Sequence, residues 1–125
     1  MDSNQNKTIL IVEDDATLLQ AMKLALTQIQ FQVIEAFDGA DGLKKSLELH
    51  PDLILLDLKL PLMSGLDVLK QLRNDPWGKT AKVIVLTNNG KSDSIAEALE
   101  LNVIDYLVKV DWSLENLMKK IEENV

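Results

Sequence analysis

The sequence predicts an α/β fold, a three-layer sandwich in which a five-stranded parallel sheet lies between two layers of helices. Short apolar runs alternate five times with stretches that have the period of a helix. Strands separated by helices need right-handed crossovers, which cover both faces of a parallel sheet. The 125 residues, 46% of them hydrophobic, suit one domain with one full core.

Five segments have the composition of buried strands. They are short and mostly apolar, several are rich in β-branched residues, and turn formers bound them. The segments are residues 8–12, 32–36, 53–56, 83–86 and 103–108. The second is the weakest of the five. The first and third are each followed by carboxylates, as a central parallel strand is where its carboxyl end opens into a site.

The stretches after the first and second strands have the one-sided apolar spacing of helices that bury one face. The apolar positions of the first helix are Leu18, Leu19, Met22, Ala25, Leu26 and Ile29. The second helix is more briefly marked, by Leu43 and Leu47. We predict that these side chains pack on the sheet.

Three further helices are predicted from start signals and spacing. The third has Ser64 at its cap position, Asp67 three residues later, and an end before Asp75-Pro76. The fourth covers residues 92–101, and the fifth runs from Ser113. The inward-facing positions are Leu66, Leu69 and Leu72 in the third helix, Ile95, Ala98 and Leu99 in the fourth, and Leu114, Leu117, Met118 and Ile121 in the fifth.

Composition argues against several classes of function. With 13 basic and 20 acidic residues the net charge is −7, the wrong sign for direct binding of nucleic acid. The absence of cysteine removes disulfides and thiolate sites and fits a reducing compartment. No run approaches the ~18 apolar residues of a membrane helix. We expect a cytoplasmic protein with no membrane partner, a flexible N-terminus at residues 1–6 and one domain over residues 7–125.

Three acids follow the ends of predicted strands and form a candidate metal site. Glu13 and Asp14 follow the first strand and Asp57 follows the third, so neighbouring parallel strands would bring the carboxylates together. In the alternative interpretation, Glu13, Asp14 and Asp15 form a solvated turn that caps the first helix. Clustered carboxylates are costly without a cation, and a site built only of oxygen ligands with room for phosphate suits Mg²⁺ over Ca²⁺. We assign Asp15 to the helix cap or to solvent.

A lysine and a threonine fall on the same predicted edge. Lys109 follows the fifth strand and Thr87 follows the fourth. Taken singly, such a lysine is usually a solvated charge and such a threonine a turn former. Next to an acid cluster, an ammonium group and a hydroxyl would stabilise a phosphoryl group on one carboxylate. Their joint occurrence favours such a site.

Four motifs in order resemble the receiver domain of two-component response regulators, of the chemotaxis-regulator type. They are Ile11-Val12-Glu13-Asp14-Asp15, residues 56–65, Thr87, and Asp105-Tyr106-Leu107-Val108-Lys109. The resemblance covers essentially the whole chain, and each motif stands at a strand end. It implies a flavodoxin-like (βα)5 fold with strand order 2-1-3-4-5.

The resemblance also implies the roles of the acids. Asp57 would be the phosphoacceptor, taking a phosphoryl group from the phosphohistidine of a sensor histidine kinase or a histidine phosphotransfer protein. Glu13, Asp14 and Asp57 would hold Mg²⁺ together with the backbone carbonyl of Lys59. Such a receiver is a signalling domain that catalyses only its own phosphorylation and dephosphorylation, and not otherwise an enzyme.

The same resemblance implies a switch. Lys109 would pair with one phosphoryl oxygen, and Thr87 would move to hydrogen-bond another while Tyr106 rotates inward. In the alternative, Tyr106 is a half-buried strand aromatic with its hydroxyl in water. The switch would act on a downstream protein target through the face formed by the fourth helix, fifth strand and fifth helix. The protein would be a monomer or a weak, phosphorylation-dependent dimer.

Three residues depart from the family pattern. Val110 follows Lys109 where the family usually has proline after a cis peptide, so either the strain is retained or the loop is rebuilt. Asn88 follows Thr87 where a small residue is usual, and its bulk would slow phosphotransfer or hydrolysis. The side chain of Lys59 either approaches the phosphate or faces solvent, and we favour solvent.

Three other functions remain to be weighed. A pseudo-receiver that acts as a phosphorylation-independent adaptor would tolerate Val110 and Asn88. A flavodoxin-type flavin binder shares the sheet order, but three acids stand where it cradles phosphate. A phosphatase of the haloacid dehalogenase type carries its aspartyl nucleophile after the first strand, whereas Asp57 follows the third.

Overall fold

The computed structural model describes residues 6–88, 93–110 and 113–125. The strands are β1 (Thr8–Val12), β2 (Gln32–Ala36), β3 (Leu53–Asp57), β4 (Val83–Thr87) and β5 (Asp105–Val108). The helices are α1 (Ala16–Gln28), α2 (Gly39–Leu49), α3 (Gly65–Arg73), α4 (Asp93–Glu100) and α5 (Leu114–Asn124), with a short 3-10 turn at Gly78–Thr80. Strands and helices alternate as predicted.

The five strands form one parallel sheet in the order β2-β1-β3-β4-β5, which confirms the predicted fold class and strand order. The register pairs Val12 with Leu56 and Thr87 with Val108, so the strands end at nearly the same level. Asp57 pairs with Leu86 and is therefore the last residue of β3 rather than the first of a loop. The polar ends of β1, β3, β4 and β5 consequently share one edge of the sheet.

Alternate strand residues enter one of two apolar cores, one on each face of the sheet. Leu10, Ile54 and Val85 belong to a core that includes side chains of α3 and α4. Ile11, Leu55 and Ile84 belong to a core that includes side chains of α1 and α5. The central strands β1, β3 and β4 are buried almost throughout, as expected of strands covered on both faces.

Side-chain caps fix the starts of four of the described helices, and at α2 the side chain of Asp38 accepts from the amide of Asp41. The side chain of Asp15 accepts hydrogen bonds from the amides of Thr17 and Leu18 at α1, so this acid serves the helix, as one of the two expectations had it. Ser64 accepts from the amide of Asp67 at α3, and Ser113 caps α5 in the same way. Each cap satisfies an amide that has no partner within its helix.

The structure corrects several details of the sequence prediction. The strand β5 begins at Asp105 rather than at residue 103, because Asn102 has a left-handed φ of 62° and ends the turn after α4. Leu47 and Leu99 are exposed and do not pack on the sheet. The buried face of α2 is formed instead by Gly39, Gly42 and Ser46.

Gly42 allows α2 to lie directly on β1. A Cβ at this position would come within 2.7 Å of a methyl group of Val12. That distance is far inside van der Waals contact, so the helix packs against the sheet through its backbone.

Parts of two predictions fall outside the described residues. These are the flexible N-terminus, apart from residue 6, and the start of the fourth helix at residue 92. Among the helices that the structure describes, none combines the length and the apolar character needed to cross a membrane.

Candidate functional site

The structure brings the predicted site residues together at the carboxyl edge of the sheet. Glu13 and Asp14 follow β1, Asp57 ends β3, and Thr87 ends β4. Lys109 follows β5, and its amide donates to the carbonyl of Thr87 at 2.7 Å. Parallel strands place their carboxyl ends side by side, so the topology assembles the site from residues distant in sequence.

The three acids form a cluster that fits a hard cation. One carboxylate oxygen from each of Glu13, Asp14 and Asp57 lies within 4.8 Å of the other two. Glu13 is 0% exposed and Asp57 is 3% exposed, whereas Asp14 is open to solvent. The buried Oε1 of Glu13 makes no hydrogen bond. Three carboxylates and no nitrogen or sulfur ligand are the donor set that Mg²⁺ prefers.

The ammonium group of Lys109 lies between two of these acids. Its Nζ donates a hydrogen bond to Oδ2 of Asp57 at 2.9 Å and lies 2.7 Å from Oε1 of Glu13, where the contact is an ion pair without hydrogen-bond alignment. Burial lowers the pKa of Lys109, but its contacts with the two carboxylates outweigh burial and raise the pKa above its ordinary value. Lys109 therefore keeps its positive charge beside Asp57.

The pKa of the Glu13 carboxyl group is raised well above its ordinary value. Burial is the main cause, and it raises the pKa from 4.5 to about 7, with a smaller upward contribution from the charge of Asp57. Contacts with Lys109 and with the amide of Asp15, which donates to Oε2 at 3.0 Å, act in the opposite direction without cancelling the shift. A second positive charge at the cluster would favour the ionised form.

The loop after β3 holds the carboxylate of Asp57 from the other side. The amide of Lys59 donates to Oδ1 at 3.1 Å, while Lys109 binds Oδ2, so both oxygens are oriented. Gly65, the first residue of α3, lies against the backbone of Asp57, because a Cβ there would meet its carbonyl oxygen at 2.0 Å. The helix start thus fixes the position of the strand end.

A cleft of about 380 Å³ opens beside Asp57 on the side away from Glu13. Its polar lining includes Asp57, Lys59, Ser64, Thr87, Asn88 and Ser94. Thr87 is buried, whereas Lys59 and Asn88 are exposed. The cleft can admit a group of phosphoryl size next to the Asp57 carboxylate while hydroxyl and amide groups face it.

The structure resolves the question raised by Val110. Within residues 6–88, 93–110 and 113–125 every peptide bond is trans, including the one between Lys109 and Val110. The loop is therefore rebuilt rather than held in a cis form, and Lys109 still reaches Asp57. Tyr106 is half-buried against the core on the α3 and α4 face.

Several site features were not predicted from the sequence. The ion pair between Glu13 and Lys109 was missed because these residues follow β1 and β5, two strands that do not pair in the sheet. Gly65 was recognised only as part of a motif, although a glycine directly after a cap serine is a signal of close backbone approach. Ser94 could have been found only from the position of α4.

The chain belongs to the response regulator receiver domain family, because the model of that family matches residues 9–122. It is 39% identical over 119 residues to the transcriptional regulatory protein KdpE of Mycobacterium tuberculosis, across 93% of this chain and 51% of that protein. It is 34% identical over 113 residues to the response regulator ArlR of Staphylococcus aureus, across 90% of this chain and 50% of that protein. The chain thus spans about half the length of these relatives.

Solved structures agree with the fold. The CheY-like receiver domain protein of Methanospirillum hungatei has a TM-score of 0.86 and 29% identity, covering 94% of this chain and 91% of its own. The receiver domain of the sensor histidine kinase PA1611 of Pseudomonas aeruginosa has a TM-score of 0.81 and 26% identity, covering 94% and 96%, and holds a magnesium ion in its active site cleft. Receiver domains are signalling domains of two-component systems and interact with histidine kinases. This chain is such a domain, and it has an acidic pocket.

Proposed function

We propose that this receiver, over residues 7–125, accepts a phosphoryl group on Asp57 from a phosphohistidine in a cytoplasmic two-component or phosphorelay system. The supporting observation is the geometry around Asp57. One carboxylate oxygen is bound by Lys109 and the other by the amide of Lys59, and a cleft opens beside the carboxylate. An oriented carboxylate next to a fixed positive charge suits attack on phosphorus.

The transfer makes one bond and breaks one. An oxygen of Asp57 attacks the phosphorus of the phosphohistidine, an O–P bond forms, and the P–N bond breaks with its electron pair leaving on the imidazole nitrogen. The phosphohistidine ring, protonated on its other nitrogen, leaves as neutral imidazole. The product is an acyl phosphate whose transferred group carries two negative charges near neutral pH. Glu13, Asp14, Asp57 and the backbone carbonyl of Lys59 would hold Mg²⁺, which offsets negative charge on the transferring group.

The remaining site residues would couple the phosphoryl group to the surface. Lys109 exchanges its contact with Asp57 for one with a phosphoryl oxygen, and the hydroxyl of Thr87 moves to bind a second oxygen. Tyr106 then rotates inward, which changes the face formed by α4, β5 and α5. We propose that a downstream protein reads this face, and that the domain is a monomer or a weak dimer that depends on phosphorylation.

Intact mass spectrometry tests phosphoryl transfer directly. The protein is incubated with Mg²⁺ and acetyl phosphate, with Asp57→Asn as the matched control. We expect the mass of one added phosphoryl group on the wild type, none on Asp57→Asn, and none when Mg²⁺ is chelated. Wild-type protein without added phosphate would instead indicate a phosphorylation-independent adaptor.

A Lys109→Ala variant separates loading from switching. We expect it to accept phosphate from acetyl phosphate, since the carboxylate and the metal ligands remain, but to lose the conformational response. Amide chemical shifts of residues 93–100 measure that response. Phosphorylation-dependent shifts equal to those of the wild type would refute the role of Lys109.

A further inference from the structure

Two apolar side chains are exposed in loops at the carboxyl edge of the sheet, the edge at which Asp57 ends β3. Leu62, in the loop between β3 and α3, is 84% exposed, and Phe37, directly after β2, is 47% exposed. Their loops touch. The amide of Gly39 donates to the carbonyl of Pro61 at 3.2 Å, and a Cβ at Gly39 would lie 1.7 Å from the carbonyl oxygen of Met63. We call Phe37 and Leu62 the apolar rim.

The backbone of Leu62 makes its side chain unusual. Its φ is 68°, and the amide of Met63 donates to the carbonyl of Pro61 at 2.8 Å. Leu62 is therefore the central residue of a three-residue γ-turn with positive φ. Residues with a Cβ are disfavoured there, and glycine or asparagine would fit better. A leucine at this place sacrifices local stability and exposes apolar surface, a combination that points to use in binding.

The rim is bordered by acids on the β1 side. Asp14 and Asp15 are exposed, and Asp38, next to Phe37, is half-buried as the cap of α2. Phe37 lies near this acidic turn, because the amide of Glu13 donates to the carbonyl of Ala36 at 3.0 Å. A partner for this surface would therefore carry an apolar ridge flanked by lysine or arginine.

Transfer to Asp57 dictates where a protein donor must lie. Asp57 is 3% exposed, and its carboxylate is reached from the carboxyl edge of the sheet. A donor therefore has to cover that edge to bring its phosphorus within bonding distance. Leu62 is five residues from Asp57 in the loop that borders the cleft. A donor that covers the cleft therefore meets the loop that carries Leu62, and Phe37 is on the neighbouring loop that contacts it.

We propose that the apolar rim is the docking surface for the protein that donates the phosphoryl group, and that the donor meets it with an apolar ridge bordered by basic side chains next to its phosphohistidine. This inference rests on the proposed function. The rim would select among protein donors without taking part in the chemistry at Asp57. Small phosphodonors, which do not need docking, would be indifferent to it.

The test compares protein and small-molecule donors on the same variants. Leu62→Asn removes the apolar side chain and tolerates the left-handed backbone, and Phe37→Ser removes the second one. Leu49→Asn is the matched control, since Leu49 is 52% exposed at the far end of α2. The protein donors are the autophosphorylated sensor kinases encoded in the source genome, and the fastest of them is used for all variants. Acetyl phosphate with Mg²⁺ is the small donor.

We expect Leu62→Asn to lower kcat/KM for transfer from the kinase by about tenfold, the loss typical of an interface anchor. Phe37→Ser should lower it further in the double variant, and added salt should weaken transfer to the wild type. Loading from acetyl phosphate should stay within about twofold, and Leu49→Asn should match the wild type with both donors. An equal loss with both donors, or a loss with neither, overturns the docking surface.

The remaining outcomes separate this inference from the proposed function. If acetyl phosphate loads the wild type but no kinase does, docking is refuted while phosphoacceptance stands. If neither donor loads it, both fail. If the rim variants change the oligomeric state in sedimentation but not the kinase rate, the rim binds a second copy of this chain, and the donor is not its partner.

Discussion

Two partly buried cations, Lys109 and Arg73, are held in different ways at opposite ends of the sheet. Lys109, at the carboxyl edge, contacts the side-chain carboxylates of Glu13 and Asp57. Arg73, at the end of α3, donates only to backbone carbonyls among its described hydrogen bonds. The accepting residues are Leu101 at 2.7 Å, Gly78 at 2.6 Å, Ala81 at 2.9 Å and Asn102 at 3.2 Å.

The partners explain why one cation suits function and the other suits structure. Side-chain carboxylates can protonate, bind a metal or exchange their partners, so the contacts of Lys109 can be rearranged. Backbone carbonyls can do none of these, and Arg73 ties the turn after α4 to the segment before β4. Burial lowers the pKa of Arg73, and it has no described carboxylate partner. The fold thus provides a fixed frame at one end and an exchangeable charge cluster at the other.

Removing Lys109 should give the largest effect, and one that depends on Mg²⁺. In Lys109→Ala, Glu13 and Asp57 stay buried without their counter-charge, which costs about 3–5 kcal/mol of unfolding free energy at a pH above the Glu13 pKa. Mg²⁺ should restore much of this loss, because it supplies the missing charge. Urea denaturation with and without Mg²⁺ measures both quantities.

Lys120→Ala is the control for that experiment. Lys120 pairs with Asp105 in a partly exposed ion pair, whose loss should change stability by less than about 1 kcal/mol. A stability of Lys109→Ala that does not respond to Mg²⁺ would contradict the exchangeable nature of the cluster.

Removing Arg73 should give a somewhat smaller loss that Mg²⁺ leaves unchanged. Arg73→Ala removes the donors of four carbonyls, for a loss of about 2–3 kcal/mol, since water can reach part of the vacated site. Lys70→Ala on the same helix is matched to it, because Lys70 forms an exposed pair with Glu97 and should change stability by under about 0.5 kcal/mol. Rescue of Arg73→Ala by Mg²⁺ would erase the contrast between the two ends.

The pH dependence of Mg²⁺ binding should give the smallest effect for a single step, about 1.4 kcal/mol for each pH unit. The folded chain holds the Glu13 proton up to a pH of about 7, whereas the ordinary pKa is 4.5. Between these values the folded state binds more protons than the unfolded state, so metal-free stability falls as the pH rises. Because Mg²⁺ binds the ionised form, its affinity should rise by up to about tenfold per pH unit, or about 1.4 kcal/mol, and level off above pH 7.

Calorimetric Mg²⁺ titrations at several pH values measure this slope. The Glu13→Gln variant cannot titrate at this position and should bind Mg²⁺ more weakly, with a flatter pH profile. A wild-type affinity that is constant between the two pKa values would show that Glu13 is already ionised in the metal-free protein.

The sequence predicted the fold because local signals and topology agree in this chain. Apolar runs set β1, β3 and β4, and cap residues such as Ser64 and Ser113 set helix starts. Because parallel strands must end at one edge, it also predicted that Glu13, Asp14 and Asp57 would meet. It did not predict the contacts of Arg73, because the carbonyl oxygens that it binds exist in every residue and carry no signal in sequence.

Helix faces were predicted less well than strands. Leu47 and Leu99 have the right spacing but are exposed, since small residues let α2 approach the sheet and a short α4 buries only Ile95 and Ala98 among its described side chains. Apolar spacing alone does not reveal which stripe of a helix comes closest to the sheet. The roles of Asp57, Thr87 and Tyr106 remain predictions for the experiments above.

The packing of Gly42 on Val12 places a residue of α2 against the end of β1, directly behind the acid cluster. Gly42 has no functional group and lies on α2, yet Val12 directly precedes the acidic pair of Glu13 and Asp14. Any larger side chain at position 42 would push on the end of β1 from behind. In a mutational screen for signalling, this glycine should therefore score like a site residue, and variants there offer a way to tune the acid cluster without altering a single ligand.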